Sequence, residues 1–154
     1  MKIKDLTPEE YQQVGELEII NILPVLKSVG LPLEEKHMWE QLEHFANAEI
    51  VLTKTENRID GFFMFVIENR RIQLVSFNMG AKLQADSLRD LLRQFRDQVA
   101  TLDVDEVTSR AHLTNTRSIN FHKRMGFTIQ SSNEHHHEFR ASKDALLEKV
   151  KLRV

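Results

Sequence analysis

The chain has 154 residues, 41% hydrophobic and 29% charged, with a formal net charge of -2. This is the balance of one globular domain with a proper core, too short for two comfortable ones and without a charge excess to draw it to nucleic acid or a membrane surface. The absence of cysteine excludes disulfides, thiolate nucleophiles and Cys-ligated zinc.

The first residues, Met-Lys-Ile-Lys-Asp-Leu-Thr-Pro, lack the apolar core of a secretory signal, and no later run approaches a membrane span. A cytoplasmic location is the expectation. Lys2 to Leu6 alternates charged and apolar residues and reads as a short strand. Thr7-Pro8-Glu9-Glu10 then starts a helix, with threonine as cap, proline in the first turn and Glu10 closing a capping box. Tyr11, Val14, Leu17 and Ile20 give its apolar stripe, and Pro24 kinks or ends it. After the break at Gly30-Leu31-Pro32 a second helix buries Met38, Trp39, Leu42, Phe45 and Ala46. Glu34, Glu35, Glu40 and Glu43 lie on its wet side.

From Glu49 the period becomes that of strands. Residues 50–52, 59–67 and 71–79 are predicted strands, joined at Glu56-Asn57-Arg58 and Glu68-Asn69-Arg70 by turns short enough to force an antiparallel meander. Gly61, inside a strand, predicts a bulge or a close approach of backbone. Leu88, Leu91, Leu92, Phe95, Val99 and Leu102 define an amphipathic helix on the sheet. Strands follow over 104–111, 127–131 and 136–141, and a helix capped by Ser142 closes the chain. Between the first two of these strands, Ser118, Phe121 and Met125 share one face of a short helix that Gly126 ends in a left-handed conformation. The predicted fold is thus α/β, one domain over 1–154. A mixed sheet of about seven strands in the order βααβββαβαββ forms a core over 2–141, followed by a C-terminal helix over 142–152.

The stretch Asn115-Thr-Arg-Ser-Ile-Asn-Phe-His-Lys-Arg-Met-Gly-Phe127 resembles the acetyl-CoA-binding half of the GNAT superfamily of N-acetyltransferases. Asn115, Ser118, Ile119, Phe121, Met125, Gly126 and Phe127 match its pattern. The predicted element order is also the family's, so the resemblance covers nearly the whole chain. It implies that the third and fourth strands after Glu49 splay apart, that acetyl-CoA enters the gap, and that its pyrophosphate rests on the loop before the long helix. A helix N-terminus there offers free amides to an anion. The implied cofactor-binding residues are Phe77, Asn78, Met79, Lys82, Ala85, Asp86, Ser87, Asn115 and Lys123. This chain departs from the family where Ala85 stands at its first glycine and Ser87 at its last small residue, glycine or alanine, and where Asp86 puts a carboxylate beside the phosphates. Asp86 or Ser87 also reads as a helix cap, with Asp90 closing a box after Ser87. Lys82, Arg89 and Lys123 are near enough in sequence to offset the charge. The resemblance further implies a catalytic acid at His122, which stands where the family has a tyrosine that protonates the departing thiolate.

The residues themselves show no nucleophile elbow or Walker pattern. The third strand of the meander offers Gln73, Ser76 and Asn78, and no general base stands out. His135-His136-His137 reads as a polar hairpin and edge strand, since alternate residues of a strand point to opposite faces and two histidines make a weak metal site. The expectation is an N-acetyltransferase moving acetyl from acetyl-CoA to a primary amine by direct attack in a ternary complex, without a metal. The acceptor is a small molecule or peptide; the glutamates around Trp39 would suit a cationic one. The alternative is a non-catalytic module of the same fold that has lost acetyl-CoA. A homodimer through the last strand or terminal helix fits either reading; nucleic acid and membrane partners fit neither.

Overall fold

Thr7 caps the first helix as its sequence dictates: its hydroxyl accepts from the Glu10 amide at 3.1 Å, and the Glu10 carboxylate accepts from the Thr7 amide at 2.9 Å. The structure, a computed structural model, describes residues 1–81 and 83–151. Ahead of Thr7, the expected strand at Lys2–Leu6 is instead a 3₁₀ turn, Ile3–Asp5, with one bridge from Lys2 to Glu49. Asp5 causes this, because its carboxylate accepts from the Lys2 amide and curls the segment while Ile3 is buried. The first helix divides at Ile22 into α1 (Pro8–Asn21) and α2 (Leu23–Ser28), with Pro24 in the first turn of α2. α3 spans Glu35–His44.

The meander is β1 (Glu49–Thr55), β2 (Arg58–Glu68) and β3 (Arg71–Met79). Both connections are two-residue turns with positive φ, at Glu56 and Asn57 (52° and 65°) and at Asn69 and Arg70 (51° and 60°). That twist is the one that matches paired strands. Gly61 faces the register shift of β1, and a Cβ there would lie 3.2 Å from Leu91 Cδ2, so the helix above comes close to the sheet.

That helix is α4 (Ala85–Thr101), followed by β4 (Glu106–His112), α5 (Thr116–Arg124), β5 (Thr128–Ser132), β6 (His136–Ser142) and α6 (Lys143–Lys151). Six strands pair in the order β1-β2-β3-β4-β6-β5, one fewer than expected among the described residues. β6 is therefore interior, correcting its reading as an edge strand; β5, with all five residues exposed, is the edge. Gly126 takes φ 92° at the end of α5, and Ser142 Oγ accepts from the Ala145 amide at the start of α6. Leu152, the end of the expected helix, lies outside the described residues.

Alternation along β2 explains the layers. Phe63 and Phe65 face Leu91, Phe95 and Val99 of α4, while Phe62 and Met64 face the side carrying Val14 of α1 and Leu42 of α3. With both faces covered, this strand reads as a continuous apolar run. Among the described residues β3 and β4 form the one parallel pair, and their register covers only Arg71–Gln73 opposite Glu106–Thr108. Toward Met79 and His112 the ladder between them stops.

Candidate active site

Where β3 and β4 part, two cavities open and share Ile22, Phe77 and Ser118 in their walls. The larger, about 300 Å³, runs beneath α1, α2 and α3; the smaller, about 110 Å³, lies toward Asn21, Met79, Asn115 and Arg117.

Glu18 of α1 lines the larger cavity and is only 8% exposed. Its Oε1 accepts a hydrogen bond from Ser76 Oγ, which in turn accepts from Asn78 Nδ2 at 2.9 Å. Burial pushes this carboxyl up to about 7, against the opposing pull of Ser76 and Asn78. The apolar spacing of α1 points away from Glu18, because it runs the stripe through Leu17 to Ile20. Ile20 is in fact 68% exposed, and the buried face runs through Val14, Gly15 and Glu18. The available signal was a carboxylate one turn after Val14 and two turns after Tyr11, on the side a helix buries.

His122 is fully buried. Its Nδ1 lies 2.7 Å from the Ser118 carbonyl, which can only accept, so Nδ1 carries the proton. Nε2, 2.7 Å away from Ser109 Oγ, then accepts from that hydroxyl. Phe77, Phe121, Phe127 and Phe139 surround the ring, and burial lowers its pKa to about 4. At neutral pH it is an uncharged imidazole whose single proton is held by a backbone carbonyl. Ser109, rather than His122, forms part of the larger cavity's wall.

The remaining expected residues separate into groups. Phe77, Asn78, Met79 and Asn115 come together around the smaller cavity. Asn115 caps α5 by accepting from the Ser118 amide at 3.2 Å, and Asn78 Oδ1 is buried without a partner. Ala85, Asp86 and Ser87 form the first turn of α4, where the N-cap is Gln84 and makes no side-chain cap. The expected cap at Asp86 or Ser87 is thus corrected, the helix starting earlier than the capping signal suggested, and Asp90 bonds Gln94. Asp86 points outward, its side chain 92% exposed and paired with Arg89 at 3.1 Å. Lys123 is exposed on α5; Lys82 lies outside the described residues. The glutamates of the α3 surface do not line the cavity. His136 does, and its ring meets His112 edge-on at 6.3 Å; His135 Nδ1 lies 3.2 Å from the Val29 carbonyl.

Solved structures described as N-acetyltransferases share this fold, a mixed sheet whose parallel pair splays open. The PaiA N-acetyltransferase from Thermoplasma acidophilum in complex with coenzyme A matches with a TM-score of 0.68 at 11% identity, over 92% of this chain and 95% of that one. The N-acetyltransferase PseH from Campylobacter jejuni in complex with acetyl coenzyme A matches at 0.59 and 12%, over 92% and 96%. The ribosomal-protein-S18-alanine N-acetyltransferase from Escherichia coli matches at 0.65 and 13%, over 89% and 90%. No protein-family model and no curated protein matches the sequence.

Proposed function

We propose that this protein transfers acetyl from acetyl-CoA to a primary amine by direct attack in a ternary complex. The observation that carries this reading is the pair of adjoining cavities at the parting of β3 and β4, one for the acyl donor and one for the acceptor. The smaller cavity suits the donor's pantetheine arm, because Asn78 Oδ1 is a buried acceptor without a partner and that arm carries amide N–H groups. Phe77, Asn78, Met79 and Asn115 would hold the arm. Ala85 and Ser87, in the uncapped first turn of α4, would meet the pyrophosphate with backbone amides, with Asp86 turned away. Lys123 adds positive charge on α5.

In this scheme the chain aligns the amine with the thioester and polarises its carbonyl from the β3 backbone near Asn78 or Met79. His122 does not reach the reacting atoms. It fixes Ser109 in the cavity wall, replacing the acid role expected for it.

Calorimetry with CoA and acetyl-CoA tests the reading. Binding in the physiological range should raise the thermal midpoint, since the ligand stabilises only the folded state. No binding and no shift at millimolar CoA would overturn the transferase reading in favour of an interaction module.

A further inference from the structure

Resting on the acetyl-transfer reading, we infer that Glu18 accepts the ammonium proton of the acceptor, and that this acceptor is a monoamine on an apolar stem. Among the described residues lining the larger cavity, Glu18 is the only carboxylate. It projects from α1 against Ser76, on the part of β3 that has left the β4 ladder, close to where the two cavities meet. An amine held there sits in the acceptor cavity, whose walls at Ile22, Phe77 and Ser118 are shared with the smaller cavity. The apolar part of the wall includes Ile22, Leu26, Met38, Leu42, Leu74 and Phe77, and the polar side chains among the rest, Gln41, Gln73, Ser76, Ser109 and Ser118, carry no negative charge.

These walls select the substrate class. A second ammonium along the stem would be stripped of water among aliphatic side chains with no counter-ion, whereas an alkyl or aryl stem gains by burial. The other titratable groups facing the cavity come from β4 and β6: Arg110, His112 and His136. Arg110 is largely exposed and paired with Glu138 at 3.2 Å. His112 is held below its ordinary pKa, by burial first and then by the charge of His136, and an imidazole offers a polycation no negative charge in either protonation state. β3, α2 and α3 add no titratable group to the lining. The acidic surface of α3, which suggested a cationic acceptor in the sequence, lies outside this cavity.

The proton balance is simple. The bound ammonium gives one proton to the Glu18 carboxylate, and the freed lone pair forms the C–N bond as the thioester C–S bond breaks. A second nitrogen proton passes to the departing sulfur, leaving the amide and the CoA thiol, and Glu18 returns its proton to water. A carboxyl with its pKa near the working pH suits this exchange.

The test uses phenethylamine and spermidine as acceptors, with wild type, Glu18→Gln and Glu18→Asp. Wild type should favour phenethylamine by about tenfold or more in kcat/KM, the scale of apolar-pocket selection. Glu18→Gln should lower kcat about 10²-fold or more and abolish the rise of kcat/KM with pH through the Glu18 ionisation. Its CoA affinity by calorimetry should stay at the wild-type value. Glu18→Asp should keep the pH-dependent rise at reduced kcat. Wild-type kcat and pH profile in Glu18→Gln, or a preference for spermidine, would overturn the inference while leaving acetyl transfer standing. If neither CoA nor acetyl-CoA binds wild type, the transfer reading fails instead. Phenethylamine alone then decides the amine site: a midpoint rise in wild type that is lost in Glu18→Gln supports it, and no rise overturns it.

Discussion

His122 lies flat on Phe139, with ring centroids 4.4 Å apart and planes 16° from parallel, while its Nε2 accepts from Ser109 Oγ at 2.7 Å. A stacked, doubly hydrogen-bonded and fully buried imidazole behaves as part of the core.

His122→Phe should therefore act mainly on stability. It leaves the Ser118 carbonyl and the Ser109 hydroxyl without their partner, a loss of about 1–3 kcal/mol in urea unfolding at pH 7. The folded pKa is depressed to about 4 from 6.5. The contribution of the neutral ring is complete above about 6.5 and lost as pH falls through about 4, so the gap between wild type and variant should narrow over that window. Turnover should fall less than about tenfold and show no decline assignable to His122 between pH 6 and 8. A drop of about 10²-fold would restore the acid role.

Glu18→Gln should reverse the usual carboxylate trend. The native carboxyl titrates near 7 rather than 4.5, so folding retains a proton that the unfolded chain has released. This contribution is present below about 4.5 and is lost as pH rises through about 7. Relative to wild type, the variant should gain roughly 3 kcal/mol between those limits, measurable by urea unfolding at pH 4.5 and 8. An offset independent of pH would show that Glu18 titrates normally.

Asp86→Gly should leave CoA affinity within about threefold of wild type, because exposed charge at a helix start acts weakly and Arg89 already pairs with this carboxylate. Calorimetry is the check. A tenfold gain would mean that Asp86 turns toward the phosphates.

Gly15→Ala should destabilise the protein despite alanine's better helix propensity. The added Cβ would lie 2.0 Å from Trp39 Cζ3, and that indole already stacks on Tyr11 at 6.1 Å. Overpacking of about 1–3 kcal/mol outweighs a helix gain of about 1 kcal/mol. Thermal unfolding should show the loss, and Trp39→Leu in the same chain should recover part of it. No loss would mean that the indole swings aside freely.

Local chemistry explains what was legible in the sequence. Thr7 with Glu10, Asn57, Asn69, Gly126 and the stripe of α4 each act through their neighbours in the chain, and each forms the predicted feature. The errors lie where distant residues decide. Lys2–Leu6 is the exception, a segment with a strand's alternation that its own Asp5 curls. β6 looks peripheral until β5 folds outside it. At the candidate site, Phe77, Asn78, Met79 and Asn115 were foreseen near one another, but their partners were not. Glu18 meets Ser76 across 58 positions of chain, and the environment of His122 comes from four separate phenylalanines. No period in a single segment records such meetings.

The short parallel register at Arg71–Gln73 also makes the sheet mechanically uneven. Along the sheet, β1–β3 form one hairpin-linked panel and β4, β6 and β5 another, and the register joining them covers fewer residues than the one between β4 and β6. The shared core, from Phe63 through Phe95 to Phe139, also joins them. A molecule wedged between the panels would act as a strut touching both. Amide exchange at Ser109–Ala111 should then slow more than exchange at Phe62–Phe65 when CoA is added, since the latter strand is already braced on both sides.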